Sequence, residues 1–420
     1  MNTPIASTNS EGRVIPDRFK FIGIKSIYIL LCIYFVANQF NHTTTFMEIG
    51  FYGSLLIFIP LLVTRRVRID MSFPLSYPML SFLGIAILGA FFALNKENTI
   101  HDIYAHFIRY MFLWMFLSIS LTQKDKIERL LALITVSTTI FCLYSIINQY
   151  YVHHNGINSR FLTGVHYLTT SAISIHTSFG CAISLYMIQN SKSRSIKALF
   201  ITTLAILTIA TILTQTRCGI AAVIACYAIF VILNKKGVLS VAMVLTMLAA
   251  LIASPAAKRF THDITGNVRI LHALLCLDII KDYPVTGIGF GQNTFLYNLD
   301  LEKYRTETMA KYPSLPYTKK PLMHPHNIFA DMAIKTGLPG LAVFITILTI
   351  TAKIIIRLIK NSDTRKLAFV PAVSLSSFII IGMFEQTLQH TYEAIYSLSF
   401  ALVYILWVQL KEANSDIVNT

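Results

Sequence analysis

The sequence predicts an all-α polytopic membrane protein with about twelve transmembrane helices and one large outer loop that contains amphipathic helices. Of its 420 residues, 55% are hydrophobic and only 13% are charged, whereas a soluble globular chain carries about 25% charged residues. Apolar runs of about 17–20 residues recur along the chain, and each is long enough to cross a hydrocarbon core. The runs are continuously apolar, whereas the strands of a β-barrel alternate, so we expect helices.

The predicted spans share length and continuous apolarity. They cover residues 24–40, 47–63, 76–94, 107–122, 130–149, 169–189, 198–214, 219–234, 239–254, 338–358, 367–385 and 392–410. They divide the chain into a cytoplasmic tail (1–23), nine helices (24–254), a large loop (255–337), three helices (338–410) and a second cytoplasmic tail (411–420). A loop of this length without a function is uncommon, so we expect the chemistry there.

Lysine and arginine set the predicted orientation. They concentrate in the N-terminal tail and in alternate short loops, which read "TRRVRID", "QKDKIER", "NSKSRSIK" and "RLIKNSDTRK". The short loops on the other side contain only Lys96, Arg160 and Arg217. Because basic short loops stay in the cytoplasm, both termini are predicted to be cytoplasmic. The formal net charge of +15 is therefore an orientation signal, and no nucleic-acid partner is expected.

One segment of the large loop predicts an amphipathic helix. In "NVRILHALLCLDIIKDYP", Asn267 is a candidate N-cap and Pro284 ends the helix. Apolar residues recur at helical spacing, at Ile270, Leu274, Leu277 and Ile280. Arg269, His272 and Cys276 share a more polar face. Such a helix lies on the outer leaflet of the membrane.

The stretch "HPHNIFADMAIKTGLPG" opens the tenth span with an unusual density of polar groups. Residues 327–336 predict an amphipathic helix on which Asn327, Asp331 and Lys335 share a face. Gly337 can supply a left-handed cap, and Pro339 ends the helix. A histidine before a helix N-terminus is kept neutral by the macrodipole and can act as a base. From the local sequence alone, His324 and His326 are either such groups or solvated interfacial residues.

The outer face also offers three isolated arginines, Arg160, Arg217 and Arg269. A guanidinium binds phosphate oxygens bidentately at any physiological pH. The alternative is that each arginine extends to lipid headgroups. The sequence has no DxD, no HExxH, no CxxC and no Walker loop, so we expect neither a metal nor another cofactor.

Three segments resemble bacterial O-antigen ligases, which share a superfamily with O-antigen polymerases and bacterial O-linked oligosaccharyltransferases. His326-Asn327, nine residues and then Gly337-Leu338-Pro339-Gly340 are similar to the signature H-N-x9-G-x-x-G of that family. "TQTRCG" at 214–219 resembles its short arginine turn, and "NVRILHALLCLDIIKDYPVTGIGFG" resembles its arginine-headed loop helix. The twelve-span layout with one large loop is also similar.

The resemblance implies a metal-independent, inverting glycosyltransferase of the bacterial inner membrane, with its active site facing the periplasm. The donor would be a polysaccharide on undecaprenyl diphosphate, and the acceptor a hydroxyl of the lipid A–core oligosaccharide. His326 would be the general base, and arginines would bind the diphosphate. The chemistry of the residues adds the other candidates: Arg217, Arg269 and Arg160 bind the diphosphate, Asn327, Asp331 and Glu385 support the histidine, and Gly337, Pro339 and Gly340 form a structural turn. The sequence around Arg160 does not match the family pattern, so its role rests on its chemistry.

Three other functions remain open from the sequence. An O-antigen polymerase would use the same donor and a second lipid-linked glycan as acceptor. A protein O-glycosyltransferase would use a protein acceptor, and the absence of an added C-terminal domain weighs mildly against it. A secondary transporter would show paired ionisable residues near the middle of the bilayer and internal repeats, neither of which is evident in the sequence.

Overall fold

The computed structural model describes residues 7–8, 14–15, 17–40, 42–156, 159–161, 170–234, 267–313, 324–385 and 390–418. Of the described residues, 81% are helical, and ten of their helices are long and apolar enough to cross a membrane. The predicted class, an all-α polytopic membrane protein, is therefore confirmed. A short antiparallel pair, Ser7–Thr8 with Val14–Ile15, precedes the first helix.

The helices of the first part of the chain are α1 (Arg18–Ala37), α2 (Thr44–Val63), α3 (Ser76–Phe92), α4 (Lys96–Ile103), α5 (Arg109–Ser120), α6 (Lys124–Ile146), α7 (Thr170–Asn190), α8 (Arg194–Leu213) and α9 (Arg217–Asn234). A π-helical turn, Tyr104–Ile108, joins α4 to α5, and a second, Ile147–Val152, extends α6. Such turns cluster at functional sites.

The second part contains α10 (Asn267–Asp282), α11 (Thr294–Tyr297), α12 (Leu301–Lys311), α13 (Ile328–Lys360), α14 (Arg365–Gly382) and α15 (His390–Val418). Eleven of the predicted spans fall on these helices, although α3 is shorter than a full span. The predicted ninth span, 239–254, lies outside the described residues, as do 255–266 and 314–323 of the predicted loop.

The first helix begins at Arg18, six residues before the predicted span at 24. The side chain of Asp17 accepts hydrogen bonds from the backbone amides of Phe19 and Lys20, which satisfies amides that a helix N-terminus leaves unpaired. Arg66 also pairs with Asp17 at 2.7 Å. The sequence prediction placed the start later because the basic first turn lowers the local hydropathy.

The basic turns meet at one end of the bundle, which we call the basic end. Arg66 in the α2–α3 turn contacts Asp17, and Lys411 in α15 donates to Ser72 at 3.4 Å. The opposite end carries α10 to α12 and the start of α13, and we call it the loop end. These contacts bring together the two tails and the "TRRVRID" turn, which the sequence analysis placed on one side of the membrane.

The segment after α10 is fixed to the bundle by α4. The side chain of Asn98 accepts from the amide of Asn293 at 3.2 Å, and Asp102 accepts from the amide of Gln292 at 2.6 Å. Asp102 is 4% exposed. Because a buried carboxylate needs such donors, these contacts hold the segment in one position on α4.

The loop end has a small hydrophobic core of its own beside the main core of the bundle. It consists of Leu275, Cys276, Ile279, Ile288, Phe295, Leu299, Tyr304 and Ile334. Ile334 belongs to α13, so this core joins the loop helices to the helix that begins the tenth span. The loop is therefore packed against α13.

The carboxylate of Asp278 connects α10 to α12. It accepts from the Nζ atoms of Lys281 and Lys311, each at 3.0 Å, and from the hydroxyl of Thr308 at 3.3 Å. Burial raises the pKa of Asp278, but the hydrogen bonds from the two lysines lower it below its usual range. The carboxylate is therefore ionised at neutral pH and acts as an electrostatic clamp.

The faces of α10 differ in part from the sequence prediction. Ile270 and Leu277 are about half exposed (51% and 50%), as a membrane-facing stripe requires. Cys276, which the helical spacing placed on a polar face, is 1% exposed and belongs to the small core. The helix is therefore apolar on two sides, because it packs on α13 and also presents an apolar stripe outward.

Candidate functional site

The candidate site forms at the start of α13, where the chain turns sharply. The side chain of Asn327 accepts from the amides of Phe329 and Ala330, at 2.9 and 3.0 Å, and so caps the helix. The preceding residue, His326, has φ of 52°, in the left-handed region that a residue other than glycine rarely adopts. Strained residues of this kind cluster at functional sites, and the turn holds the His326 side chain at the N-terminal end of α13.

Three imidazole rings gather at this turn. The rings of His324 and His326 have centroids 4.0 Å apart, and His272 of α10 lies parallel to His326 at 6.1 Å. Burial, together with the charge of His326, lowers the pKa of His272 and of His324. Both neighbouring rings are therefore neutral at neutral pH, and they surround His326 with aromatic surface.

Glu385 approaches His326 from the turn after α14. Its Oε2 atom lies 3.5 Å from Nδ1 of His326, and the side-chain amide of Asn327 donates to the carbonyl of Met383 at 3.3 Å, which ties the two turns together. Burial raises the pKa of Glu385, but the interaction with His326 and the charges of His324 and Arg269 lower it below its usual range. An ionised carboxylate on the Nδ1 side favours a proton on Nδ1, which leaves Nε2 available as a base.

Arg269 reaches the same cluster from the first turn of α10. Its guanidinium carbon lies 5.3 Å from the centre of the Phe384 ring, next to Glu385. Its charge contributes to the lowered pKa of both Glu385 and His272. The structure therefore brings together two residues that the sequence could only place on the same side of the membrane, Arg269 and His326.

Arg217 begins α9, and the next residue, Cys218, interacts electrostatically with Glu385 and with Arg269. The start of α9 thus lies beside the histidine cluster. Residue 219 is a glycine because a Cβ atom there would lie 2.1 Å from the Ser174 hydroxyl. The close packing of α9 on α7 fixes the direction in which the arginine turn points.

Arg160 is placed on that same arginine turn. Its Nε donates to the carbonyl of Thr214 at 3.0 Å, and its Nη2 donates to the Thr216 hydroxyl at 3.2 Å. The side-chain amide of Gln149 donates to the Arg160 carbonyl at 2.9 Å. Two donors of the Arg160 guanidinium, which was predicted to bind phosphate, are thus used to bond the turn that carries Arg217. These contacts favour a role for Arg160 in positioning Arg217.

Asp331 and Lys335 form an ion pair with each other, and neither side chain is bonded to His326 among the described contacts. Lys335 Nζ donates to Asp331 Oδ2 at 2.8 Å, and the two side chains are 3% and 2% exposed. The predicted pairing one helical turn apart is present, but it is buried. Breaking a buried pair on one side costs far more than the few tenths of a kcal/mol of an exposed helical pair.

The glycine turn is a sharp break inside α13. Gly337 has φ of 68° and ψ of −178°, a combination essentially confined to glycine. A Cβ atom there would lie 2.2 Å from the carbonyl oxygen of Val285, and one at Gly340 would lie 2.0 Å from the Thr336 hydroxyl. The predicted turn is therefore present, but with an extended ψ and not the helical ψ of a left-handed cap, and Pro339 lies in the first turn of the continuing helix.

The segment around Gly287 and Gly289 runs along this break. The amides of Ile288 and Gly289 donate to the carbonyls of Ile334 and Lys335, at 2.8 and 3.2 Å, and Leu338 donates to Pro284 at 2.8 Å. Gly287 and Gly289 have positive φ, 65° and 108°. The glycine run that follows α10 is thus packed against α13 and closes off its first helical segment.

One group of described residues has the donors and spacing to hold a metal ion, namely His324, His326 and Glu385, whose ligand atoms all lie within 4.8 Å of one another. Linear spacing could not reveal it, because Glu385 lies far along the chain from the two histidines. The sequence also gave no sign that His272 packs on His326. Its position three residues after Arg269 was the only available signal.

A buried pair of polar side chains, His106 and Glu393, lies inside the bundle, and the sequence analysis did not predict it. Nδ1 of His106 lies 3.0 Å from Glu393, and both side chains are nearly inaccessible to solvent. The pair borders an apolar cavity of about 130 Å³ that is lined by α3, α5, α13, α14 and α15. It contacts neither the arginine turn nor His326 in the described part of the chain.

The fold and site define a multi-pass helical membrane protein with a histidine–carboxylate pair and arginines gathered at one end of its bundle. Residues 202–345, about a third of the chain, match the family described as O-antigen ligase, and this match supports the O-antigen ligase/polymerase superfamily. The match includes Arg217, Arg269 and His326, whereas Arg160 and Glu385 lie outside it. No curated protein matches the chain.

Proposed function

We propose that this chain is an O-antigen ligase, a glycosyltransferase that moves a polysaccharide from undecaprenyl diphosphate to the lipid A–core oligosaccharide. One observation carries the proposal: His326 has Glu385 at its Nδ1 atom and lies beside Arg269 and the arginine turn, in a chain whose residues 202–345 match the O-antigen ligase family. A base next to fixed cations is what transfer from a diphosphate to a hydroxyl requires.

His326 acts as the general base in this proposal. Its Nε2 atom takes the proton of the acceptor hydroxyl while that oxygen forms a bond to the anomeric carbon of the donor sugar. The bond between the anomeric carbon and the diphosphate oxygen breaks, and its electron pair leaves with the diphosphate. Attack opposite the leaving group inverts the anomeric centre. Glu385 holds the His326 ring and stabilises the imidazolium that forms.

Arg217 and Arg269 stabilise the charge that develops on the leaving diphosphate. Guanidinium groups bind phosphate oxygens in a fixed fork and keep their charge, so they can replace a divalent cation in this role. Arg160 supports the turn that presents Arg217. Asn327 caps α13, and the buried Asp331–Lys335 pair anchors the same helix.

The proposed location is the bacterial inner membrane, with both termini in the cytoplasm and the loop end in the periplasm. The basic turns at one end of the bundle support it. Both substrates are lipid-anchored, and the exposed Ile270 and Leu277 on α10 give the loop end an apolar surface toward the outer leaflet.

The primary test is the substitution His326→Ala in cells that depend on this chain for long-chain lipopolysaccharide. We expect loss of polymer attachment with normal insertion in the membrane. His154→Ala is the matched control, because His154 is exposed and also has a positive φ, of 49°. Normal polymer attachment by the His326 variant would refute the assignment of the base.

The arginines are tested by Arg217→Lys and Arg269→Lys, with Arg129→Lys at the basic end as the control. Lysine keeps the charge but loses the fork. We therefore expect both site variants to lose most of their activity and the control to retain it. If both lysine variants remain fully active, bidentate binding of the diphosphate is wrong.

The ligase and the polymerase are separated by a deletion strain. Loss of a ligase leaves polymer on undecaprenyl diphosphate, whereas loss of a polymerase leaves single repeats on the lipid A–core. Transfer in vitro from a defined undecaprenyl donor to purified lipid A–core, with and without chelator, tests the rest. A requirement for added metal would overturn the role given to the arginines.

A further inference from the structure

His324, His326 and Glu385 combine the donor types that divalent transition metals prefer. Two imidazole nitrogens and one carboxylate oxygen suit Zn²⁺, whereas Mg²⁺ and Ca²⁺ favour sets of oxygen ligands. Three protein ligands with a fourth position open is also the arrangement of accessible zinc sites. The chemistry of the group therefore selects a borderline-soft cation over the hard cations.

The distances are close to those that a tetrahedral ion needs. Bonds of about 2.0–2.1 Å place neighbouring tetrahedral ligand atoms about 3.4 Å apart. Nδ1 of His326 and Oε2 of Glu385 are already 3.5 Å apart, and no pair in the group exceeds 4.8 Å. A side-chain adjustment of about 1 Å, within the reach of rotamer changes, closes the set.

The backbone holds the two histidines toward each other. They flank Pro325, and the positive φ of His326, 52°, folds the chain so that the ring centroids are 4.0 Å apart. Glu385 is brought in by the bond between Asn327 and the Met383 carbonyl. The three ligands thus come from two turns that are tied together, which lowers the entropy lost on binding an ion.

The buried Nδ1 atom of His324 independently indicates a ligand at this position. This atom is shielded from solvent and has no hydrogen-bond partner within the part of the chain that the structure describes. A buried polar atom without a partner is rare in native structures and calls for a ligand or another explanation. A cation held with His326 and Glu385 would satisfy it.

We propose that these three residues form a zinc site whose occupancy inhibits transfer, because the ion takes ligand atoms of the base and of its carboxylate partner. The inhibition, but not the binding, rests on the proposed function of His326. A zinc ion on Nδ1 of His326 would displace the ring proton from Nδ1, and a neutral ring then carries its proton on Nε2, where no lone pair remains to accept the proton of the hydroxyl. The ion would also take the Glu385 carboxylate that orients the ring. Zinc would then act as a reversible inhibitor, and Mg²⁺ would not.

Direct binding is measured on the full-length protein, purified in detergent and stripped of metal with a chelator. Zn²⁺ is titrated against a chromophoric chelator, and Co²⁺ is added separately to report tetrahedral coordination through its visible absorption. We expect one site, at least about tenfold weaker in His324→Ala and in Glu385→Gln, and unchanged in His154→Ala. The absence of stoichiometric binding, or equal affinity in all four proteins, would overturn the site.

Inhibition is measured in the transfer assay, with each variant compared with its own zinc-free rate. We expect half-inhibition of the unmodified protein near its zinc dissociation constant. His324→Ala should need at least about tenfold more zinc, and equimolar Mg²⁺ should have no effect. A rate that rises with zinc at this site would overturn the inhibition.

The two proposals fail in different ways. If His326→Ala loses zinc binding but keeps its transfer rate, the base assignment is wrong and the metal site stands. If His326→Ala loses transfer and zinc affinity does not change in any of the three ligand variants, the zinc site is wrong and the base stands.

Discussion

Replacing Gly337 by alanine should separate α13 from the glycine segment that packs on it. The φ of 68° with ψ of −178° is a region in which other residues carry strain of about 1–3 kcal/mol. The new Cβ atom would also lie 2.2 Å from the Val285 carbonyl oxygen, a backbone atom that cannot rotate away. Either the break in α13 or the segment 284–289 must move.

The magnitude follows from the hydrogen bonds that cross this contact. Three backbone bonds, from Ile288, Gly289 and Leu338, join the two segments, and each contributes about 0.5–1.5 kcal/mol. Together with the strain, the loss of all three costs about 3–7 kcal/mol. For an unfolding entropy of about 2.1 cal/mol/K per residue, this lowers the melting temperature by about 3–8 °C.

The assay is thermal unfolding of the detergent-purified protein, followed by fluorescence-detected size exclusion. Gly84→Ala is the matched control, because Gly84 lies inside α3 and nothing lies within 4 Å of its added Cβ atom. Alanine is the better helix former by about 0.5–1 kcal/mol, so the control should be neutral or stabilising. Equal melting temperatures for the two alanine variants would refute the steric reasoning.

Three further predictions follow from the contacts of charged side chains. Asp331→Asn leaves Lys335 buried and unpaired and should cost about 3–5 kcal/mol of stability, whereas Asp331→Leu combined with Lys335→Met should melt closer to the unmodified protein; a double variant no better than the single one contradicts this. Asp278→Asn should speed hydrogen exchange in α12 at neutral pH, and the difference should vanish as the pH falls through the lowered pKa of Asp278; a difference that persists in acid would be evidence against the clamp. Arg160→Lys should raise the KM for the donor, because lysine cannot form both bonds that the Arg160 guanidinium makes to the turn carrying Arg217. An unchanged KM would contradict a positioning role for Arg160.

The periodicity of the chain determined much of the fold. Continuous apolar runs must become helices in a membrane, because each backbone polar group needs a partner within its own segment. The sequence also predicted the start of the helix at 327–328, the helix after Asn267 and the break at Gly337, because caps, prolines and glycines act over a few residues. The ends of the helices were predicted less accurately. In α1, for example, a basic first turn lowers the hydropathy, so the predicted span begins after the true start of the helix.

The candidate site was predicted residue by residue but not as an arrangement. The sequence selected His326, Arg217 and Arg269 by their resemblance to a family, and Glu385 only as a nearby polar residue. That the Glu385 carboxylate lies at Nδ1 of His326 depends on how the turn after α14 packs on the turn before α13. Contacts between residues far apart in the chain leave no local pattern.

The tertiary structure also decided what the glycines and the buried charges do. Gly287 and Gly289 are fixed at positive φ against the end of the first helical segment of α13, a contact that no local sequence pattern indicates. Asp331 and Lys335 looked like an exposed helical pair and are instead buried. Sequence by itself determined which segments are helices and which polar groups face the loop end. Only packing decided which of those groups meet, because burial and distance depend on the neighbours that other segments supply.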